Sequence, residues 1–278
     1  MNILLRLGTV SFLNSKPLTY AIEEDLIEND FELIATPPAE LSEKLYRKEV
    51  DLALIPVAEL LRRKSYAVVP GISISSLGKV DSVILLTRGD IGDIRKVAVD
   101  SRSQSSTALL RIILEIFYSL LPDYEPRKYE LYNPETSNPD GEFLKGVDGG
   151  MLIGDAGLEY MYSPPEGYKV YDLGEIWTEH TGLPFVYAVF AVNESVVLGR
   201  NLDALRRSKA YGLSNLKRIA KLGARKTGLS EAICFKYISQ RIKYDLGEDG
   251  IRGIIKYSQL LSELGICDRI TEFRIYHT

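Results

Sequence analysis

The sequence predicts a two-lobed α/β protein with a ligand cleft between the lobes, on three observations. Strand and helix patterns alternate from the N-terminus, which indicates parallel or mixed sheets rather than a sandwich. Two strands, Lys79–Thr87 and Pro184–Asn193, are long enough to lead out of one lobe and back into it. Several strands run directly into polar helix starts, where open α/β sheets bind their ligands. The lobes are expected at roughly residues 1–87 with 191–278, and at 88–190.

The opening apolar strand, Leu5–Phe12, breaks into Leu13-Asn14-Ser15-Lys16-Pro17 and then a helix over 17–29. Pro17 suits a first helical turn, because the N–H it lacks would be unpaired there. Strands follow at Phe31–Ala35 and Val50–Ile55, with helices from Pro37 and over Pro56–Lys64. Val68–Ser76 precedes the first crossing strand, and Ile91–Ile94 reads as a short connecting helix. Lys96–Asp100 leads into a helix over 105–120, whose Leu109, Leu110, Ile113, Ile116 and Phe117 share a face. Lys128–Tyr132 is expected as a strand and Asn133–Asp140 as a loop. Gly149–Asp155 is a strand ending in a tight turn, and Tyr168–Leu173 a strand before a short helix over 174–181. Helices over 197–213, 214–226, 230–243 and 249–264 complete the chain.

Composition narrows the function. With 278 residues, 45% hydrophobic and 26% charged, the chain has the balance of a soluble globular protein. A net charge of −4 gives no reason to expect nucleic acid. Cys234 and Cys267 lie far apart, which argues against a disulfide framework or zinc site and for reduced thiols in the cytoplasm. His180 and His277 form no HExxH-like pair, so neither metal nor cofactor is expected. No apolar run approaches the ~18 residues of a membrane span, and the N-terminal run reads as a strand rather than a signal peptide.

Two stretches point to an anionic ligand. The strand-to-helix turn around Asn14 offers free amides and a partial positive charge, with Asn14 and Lys16 adding an amide and a cation. The plain alternative is a first βα turn without a ligand. After Asp100, the stretch Ser101 to Thr107 carries five hydroxyls in seven residues, Ser101, Ser103, Ser105, Ser106 and Thr107. One or two would suffice for helix capping; the surplus suits a carboxylate held by neutral donors. Arg102 either adds a charge or faces solvent. Gly154-Asp155 is either a turn with a helix cap or a second anion-holding rim. Ser82, read as mid-strand, matters only where that strand crosses the cleft floor. His180, beside Glu179, is a candidate base or an exposed surface histidine.

Taken together, VSFLNSKPL (10–18), EVDLALIPVAEL (49–60), VPGISISSLGKVDSVILLTR (69–88), DSRSQSSTALLRIIL (100–114), LIGDAGL (152–158) and YDLGEIWTEHTGLPFVYAVFA (171–191) resemble the chorismate dehydratases of the futalosine route to menaquinone. The resemblance covers about the first 190 residues. It implies a type II periplasmic-binding-protein fold and a lyase that eliminates water from chorismate, with the substrate's own enolpyruvyl carboxylate as base. The family's catalytic asparagine and serine fall on Asn14 and Ser82. Its carboxylate-holding helix start falls on Ser103, Ser105 and Ser106, with Ser105 where many relatives carry threonine. Ser11, Lys16, Thr107, Gly154 and Asp155 are the further expected substrate contacts. A 1,4-dihydroxy-6-naphthoate synthase shares the fold and the TGLP motif but opens on a different run. A solute-binding receptor for a small carboxylate is the non-enzymatic alternative.

Overall fold

In the computed structural model, residues 4–63, 65–100, 103–127 and 143–277 are described. Arg102, the strand expected over 128–132 and the loop expected over 133–140 lie outside them. The chain opens with β1 (Leu5–Thr9), a single 3-10 turn (Leu13–Ser15) and α1 (Lys16–Glu23), with Pro17 in the first turn. α1 is shorter than expected, because Asp25 takes a left-handed conformation two residues past its end. β2 (Phe31–Ala35) leads into α2 (Pro38–Tyr46), whose Glu40 and Lys44 sit at the ends that their charges favour. β3 (Leu52–Pro56) is apolar and passes without a loop into α3 (Val57–Arg62). β4 (Tyr66–Ser76) ends the first half, and β5 (Val83–Thr87) begins the second.

β6 (Lys96–Asp100) precedes α4 (Gln104–Arg111), which continues as a π-helix through Phe117 instead of one α-helix to residue 120. β7 (Asp123–Arg127), β8 (Gly149–Ile153), α5 (Gly154–Tyr162), β9 (Lys169–Asp172) and α6 (Leu173–Thr181) follow. β10 (Phe185–Asn193) returns to the first half. Then come α7 (Arg200–Ser214), α8 (Leu216–Thr227), α9 (Glu231–Lys236) with a π-helical extension (Tyr237–Arg241), α10 (Glu248–Glu263) and β11 (Arg274–Ile275).

The strands form two mixed sheets, ordered β11-β4-β10-β3-β1-β2 and β7-β6-β8-β5-β9. β1 runs parallel to β2 and β3, whereas β10 runs antiparallel to β3 and β4. In the second sheet β6 is parallel to β7 and β8, and β5 antiparallel to β8 and β9. The α/β two-sheet reading therefore holds. The chain changes sheets earlier than the expected divisions at 87/88 and 190/191, between Ser76 and Val83 and between Thr181 and Phe185. The expected strand over 79–87 starts only at Val83, because Asp81 takes a positive φ of +62° that a residue with a side chain rarely adopts and that turns the chain out of the extended run.

The C-terminal helices close over the first turn of the chain. α7 lies against α1, and Ser208 Oγ donates to the Leu18 carbonyl (2.7 Å). At that contact a Cβ on Gly212 would stand 2.0 Å from the Pro17 carbonyl oxygen. Gly212→Ala is expected to lower unfolding stability by about 1–3 kcal/mol in a urea titration, outweighing the ~1 kcal/mol that alanine adds to a helix. An unchanged midpoint would mean that the two helices can slide apart without cost.

Candidate active site

A narrow cleft lies between the two sheets, with about 90 Å³ of open space, room for a few water molecules. Its walls are set by helix starts. Asn14 comes from the turn after β1, Ser103, Ser105 and Ser106 from the start of α4, and Gly154 from the start of α5. Ser82 comes from the crossing segment, not from mid-strand, and is buried there. Val10, Phe12, Leu54, Ile74 and Val83 supply apolar walls, and Tyr187 of β10 a phenol. Among the described residues, none that lines the cleft is a lysine, arginine, histidine, aspartate or glutamate. The site is thus a set of neutral donors aimed into an apolar slot, which favours an anion whose charge is met by dipoles.

The serines at α4 do not cap their helix. Ser103 occupies the N-cap position without a side-chain cap bond. Ser105 Oγ instead accepts from the Ala58 amide at the start of α3 (2.9 Å), and the Ser105 carbonyl accepts from the Tyr257 hydroxyl (2.9 Å). Both bonds reach across to elements packed on the first sheet. Gly154 carries a φ of +63°, and a Cβ there would press on the Phe12 ring at 2.8 Å. Only glycine brings the amides of α5 to this wall.

Other expected contacts lie elsewhere. Lys16 is paired with Glu23 on its own helix and does not line the cleft. Ser11 is exposed, and its carbonyl accepts from Lys226 Nζ. Thr107 is one turn further along α4, where its amide donates to the Ser103 carbonyl (3.0 Å). Asp155 neither caps α5 nor forms a rim: Oδ1 accepts from the Leu13 amide (3.0 Å) and Oδ2 from Lys226 Nζ (2.7 Å). It fastens the opening turn to α5 and α8. His180 stacks on Phe117 at 4.4 Å and bonds through Nδ1 to the Ile176 carbonyl, outside the cleft.

The crossing segment is held by two buried carboxylates. Asp172 accepts from the amides of Val80 and Asp81 (3.0 and 2.7 Å) and from Gly174 and Glu175 (2.9 and 3.0 Å). Asp81, at φ +62°, accepts through Oδ2 from Tyr162 and Arg241 (2.8 Å each). Tyr237, at the start of the π-helical turn after α9, donates to Ser82 Oγ at 2.7 Å. Neither Tyr237 nor Arg241 stood out in the sequence, where both read as ordinary positions of a C-terminal helix. A wider groove of about 940 Å³ lies against Tyr66, Val197 and the strand Arg274–Ile275, but none of the helix starts or serines described above reaches it.

The chain resembles known proteins along nearly its whole length. A family model described as menaquinone biosynthesis matches residues 5–263. A protein of Thermus thermophilus named chorismate dehydratase is 29% identical over 271 residues, covering 92% of this chain and 94% of that protein. An Archaeoglobus fulgidus crystal structure superposes with a TM-score of 0.77 at 18% identity, over 95% of this chain and 99% of that one. The alkanesulfonate-binding protein SsuA of Xanthomonas axonopodis pv. citri, bound to MOPS, gives 0.68 at 15% identity, over 95% and 94%. These structures share the periplasmic-binding-protein-like fold. Among the described residues, no helix is long and apolar enough to cross a membrane.

Burial pushes the Asp172 carboxyl up to about 6, against the backbone amides that favour its charged form. A folded value above the unfolded one means that the folded state binds this proton more tightly. Asp172 therefore adds stability as the pH falls from about 6 through the unfolded value near 4, the reverse of an ion-paired carboxylate. The unfolding free energy of the protein minus that of Asp172→Asn is expected to be larger at pH 4 than at pH 7, by up to about 3 kcal/mol. A difference that grows with pH would mean that the amides outweigh burial. With its match from residue 5 to 263, the chain belongs to the menaquinone biosynthesis family.

Proposed function

We propose that this chain is a chorismate dehydratase, a lyase that converts chorismate to 3-[(1-carboxyvinyl)oxy]benzoate and water on the futalosine route to menaquinone, in the cytoplasm. The observation that carries it is the convergence of Asn14, Ser82 and the three α4 serines on one slot lined by neutral donors. The relative named chorismate dehydratase, aligned over 92% of this chain, supports it.

The elimination removes a ring proton and the ring hydroxyl, and the ring becomes aromatic. The ring carboxylate acidifies the proton through the conjugated system. The enolpyruvyl carboxylate of the same molecule takes it and the proton then goes to the departing hydroxyl, which leaves as water, so the protein need not supply a base. Its task is orientation and stabilisation of developing charge. Ser103, Ser105 and Ser106 with the amides of α4 hold one carboxylate. Ser82 donates to the oxygen on which charge builds, and Asn14 donates to the leaving hydroxyl or orients it. Tyr187, in the cleft lining, has its hydroxyl 3.0 Å from Ser76 Oγ, and burial holds its pKa well above the ordinary value, so it stays a neutral phenol. No metal or cofactor enters these steps.

Purified protein incubated with chorismate alone is expected to give a product one water lighter with aromatic absorbance. Asn14→Ala and Ser82→Ala are each expected to lower kcat by about 10²-fold, the usual cost of removing one donor to a developing charge. Their melting temperatures should stay near that of the parent. Chorismate that raises the melting temperature but is returned unchanged would identify a solute-binding protein, as the SsuA-like fold allows.

A further inference from the structure

We infer that Tyr237 is a positioning residue of this site, fixing Ser82 as a donor into the cleft. Tyr237 is 1% exposed, and it sits on an element remote from Ser82 in sequence. The phenol O–H points at Ser82 Oγ, 2.7 Å away. A phenol has one proton to give. With that proton committed to Ser82 Oγ, the serine's own O–H is left to turn into the slot that Ser82 lines. Ser82, expected to touch reacting atoms, is thus held in one hydrogen-bonded chain that runs from the Tyr237 phenol to the crossing segment.

The backbone around this chain is built to hold it. Tyr237 opens a π-helical turn that ends at Arg241, and the two side chains reach consecutive residues of the crossing segment, Ser82 and Asp81. Helical turns of this kind recur at functional sites. Asp81 is held at a positive φ, a conformation that persists only where surroundings over-determine it. Here Arg241 and Tyr162 grip its carboxylate and Asp172 its amide. A Cβ on Gly157 would lie 2.4 Å from the Ser82 carbonyl oxygen, so α5 presses the same segment from the other side. The direction of the Ser82 side chain is therefore set by its neighbours before any ligand arrives.

This inference rests on the dehydratase reading, and the experiment separates the two. kcat and KM for chorismate are measured for the parent, Tyr237→Phe, Ser82→Ala and the double variant, below all their melting temperatures. Tyr237→Phe is expected to lower kcat about 10- to 100-fold with KM within about 2-fold. Added to Ser82→Ala it is expected to cost nothing further, because it acts through that hydroxyl. Should Tyr237→Phe fail to fold, Arg241→Gln, which loosens the same turn from outside the cleft, is put through the same cycle with the same expectation. Near-parent turnover by the Tyr237 variant, or a loss that multiplies in full with that of Ser82→Ala, would overturn the assignment. An inactive parent would overturn the dehydratase reading instead.

Discussion

The architecture depends on one buried carboxylate. Asp172 gathers the amides of Val80 and Asp81, on the segment that leaves the first sheet, and of Gly174 and Glu175, at the start of the helix that leads back. The outgoing and returning passes between the sheets are therefore tied to the same side chain. The Gly78 amide adds a second tie, donating to Thr178 Oγ1 of α6 at 2.8 Å. Burying a charge in this way costs free energy, and the raised carboxyl value is that cost made visible. What the fold gains is a rigid crossing at the floor of the cleft, on which Ser82 stands.

Charge is otherwise kept one layer back from the cleft and cancelled there in pairs. Lys226 faces Asp155, Arg241 faces Asp81 and Lys16 faces Glu23. The polar part of the described lining is hydroxyls, an amide and helix starts, set among apolar walls. Neutral dipoles fixed in place stabilise developing negative charge without reorganising and without the desolvation that a buried cation would demand. Such a lining suits a reaction whose base is carried by the substrate. It suits much less a reaction in which the protein itself must take up a proton.

The pairs also show how the cleft is held shut. Asp155 joins α5 to the Leu13 amide and to Lys226, and Ser105 accepts from the start of α3. Each is a polar contact between an element of one sheet and an element packed on the other. Opening the cleft would exchange these bonds for water, a small net cost per bond.

The strand-to-helix turn at Asn14 and the hydroxyl run at 103–106 could be read from the sequence because their signals are local. A polar helix start after an apolar strand already says where free amides will be. The same locality placed the alternation of strands and helices and hence the α/β class. Direction and distance were decided by packing. Lys16 is two residues from Asn14, yet the helix turns it toward Glu23. Asp155 adjoins a cleft glycine, yet its carboxylate is claimed by Leu13 and Lys226. The long crossing strand became an irregular segment because Asp81 is held at positive φ by Tyr162 and Arg241 and by Asp172. Tyr237 meets Ser82 across 155 residues of chain. On its own helix it is one more large residue on a buried face, indistinguishable from core. Sequence periodicity fixes which residues start helices and which face inward. Only the folded packing of α9 and its π turn on the crossing segment decides which of those buried groups meet, because contacts between distant segments leave no periodic trace in either.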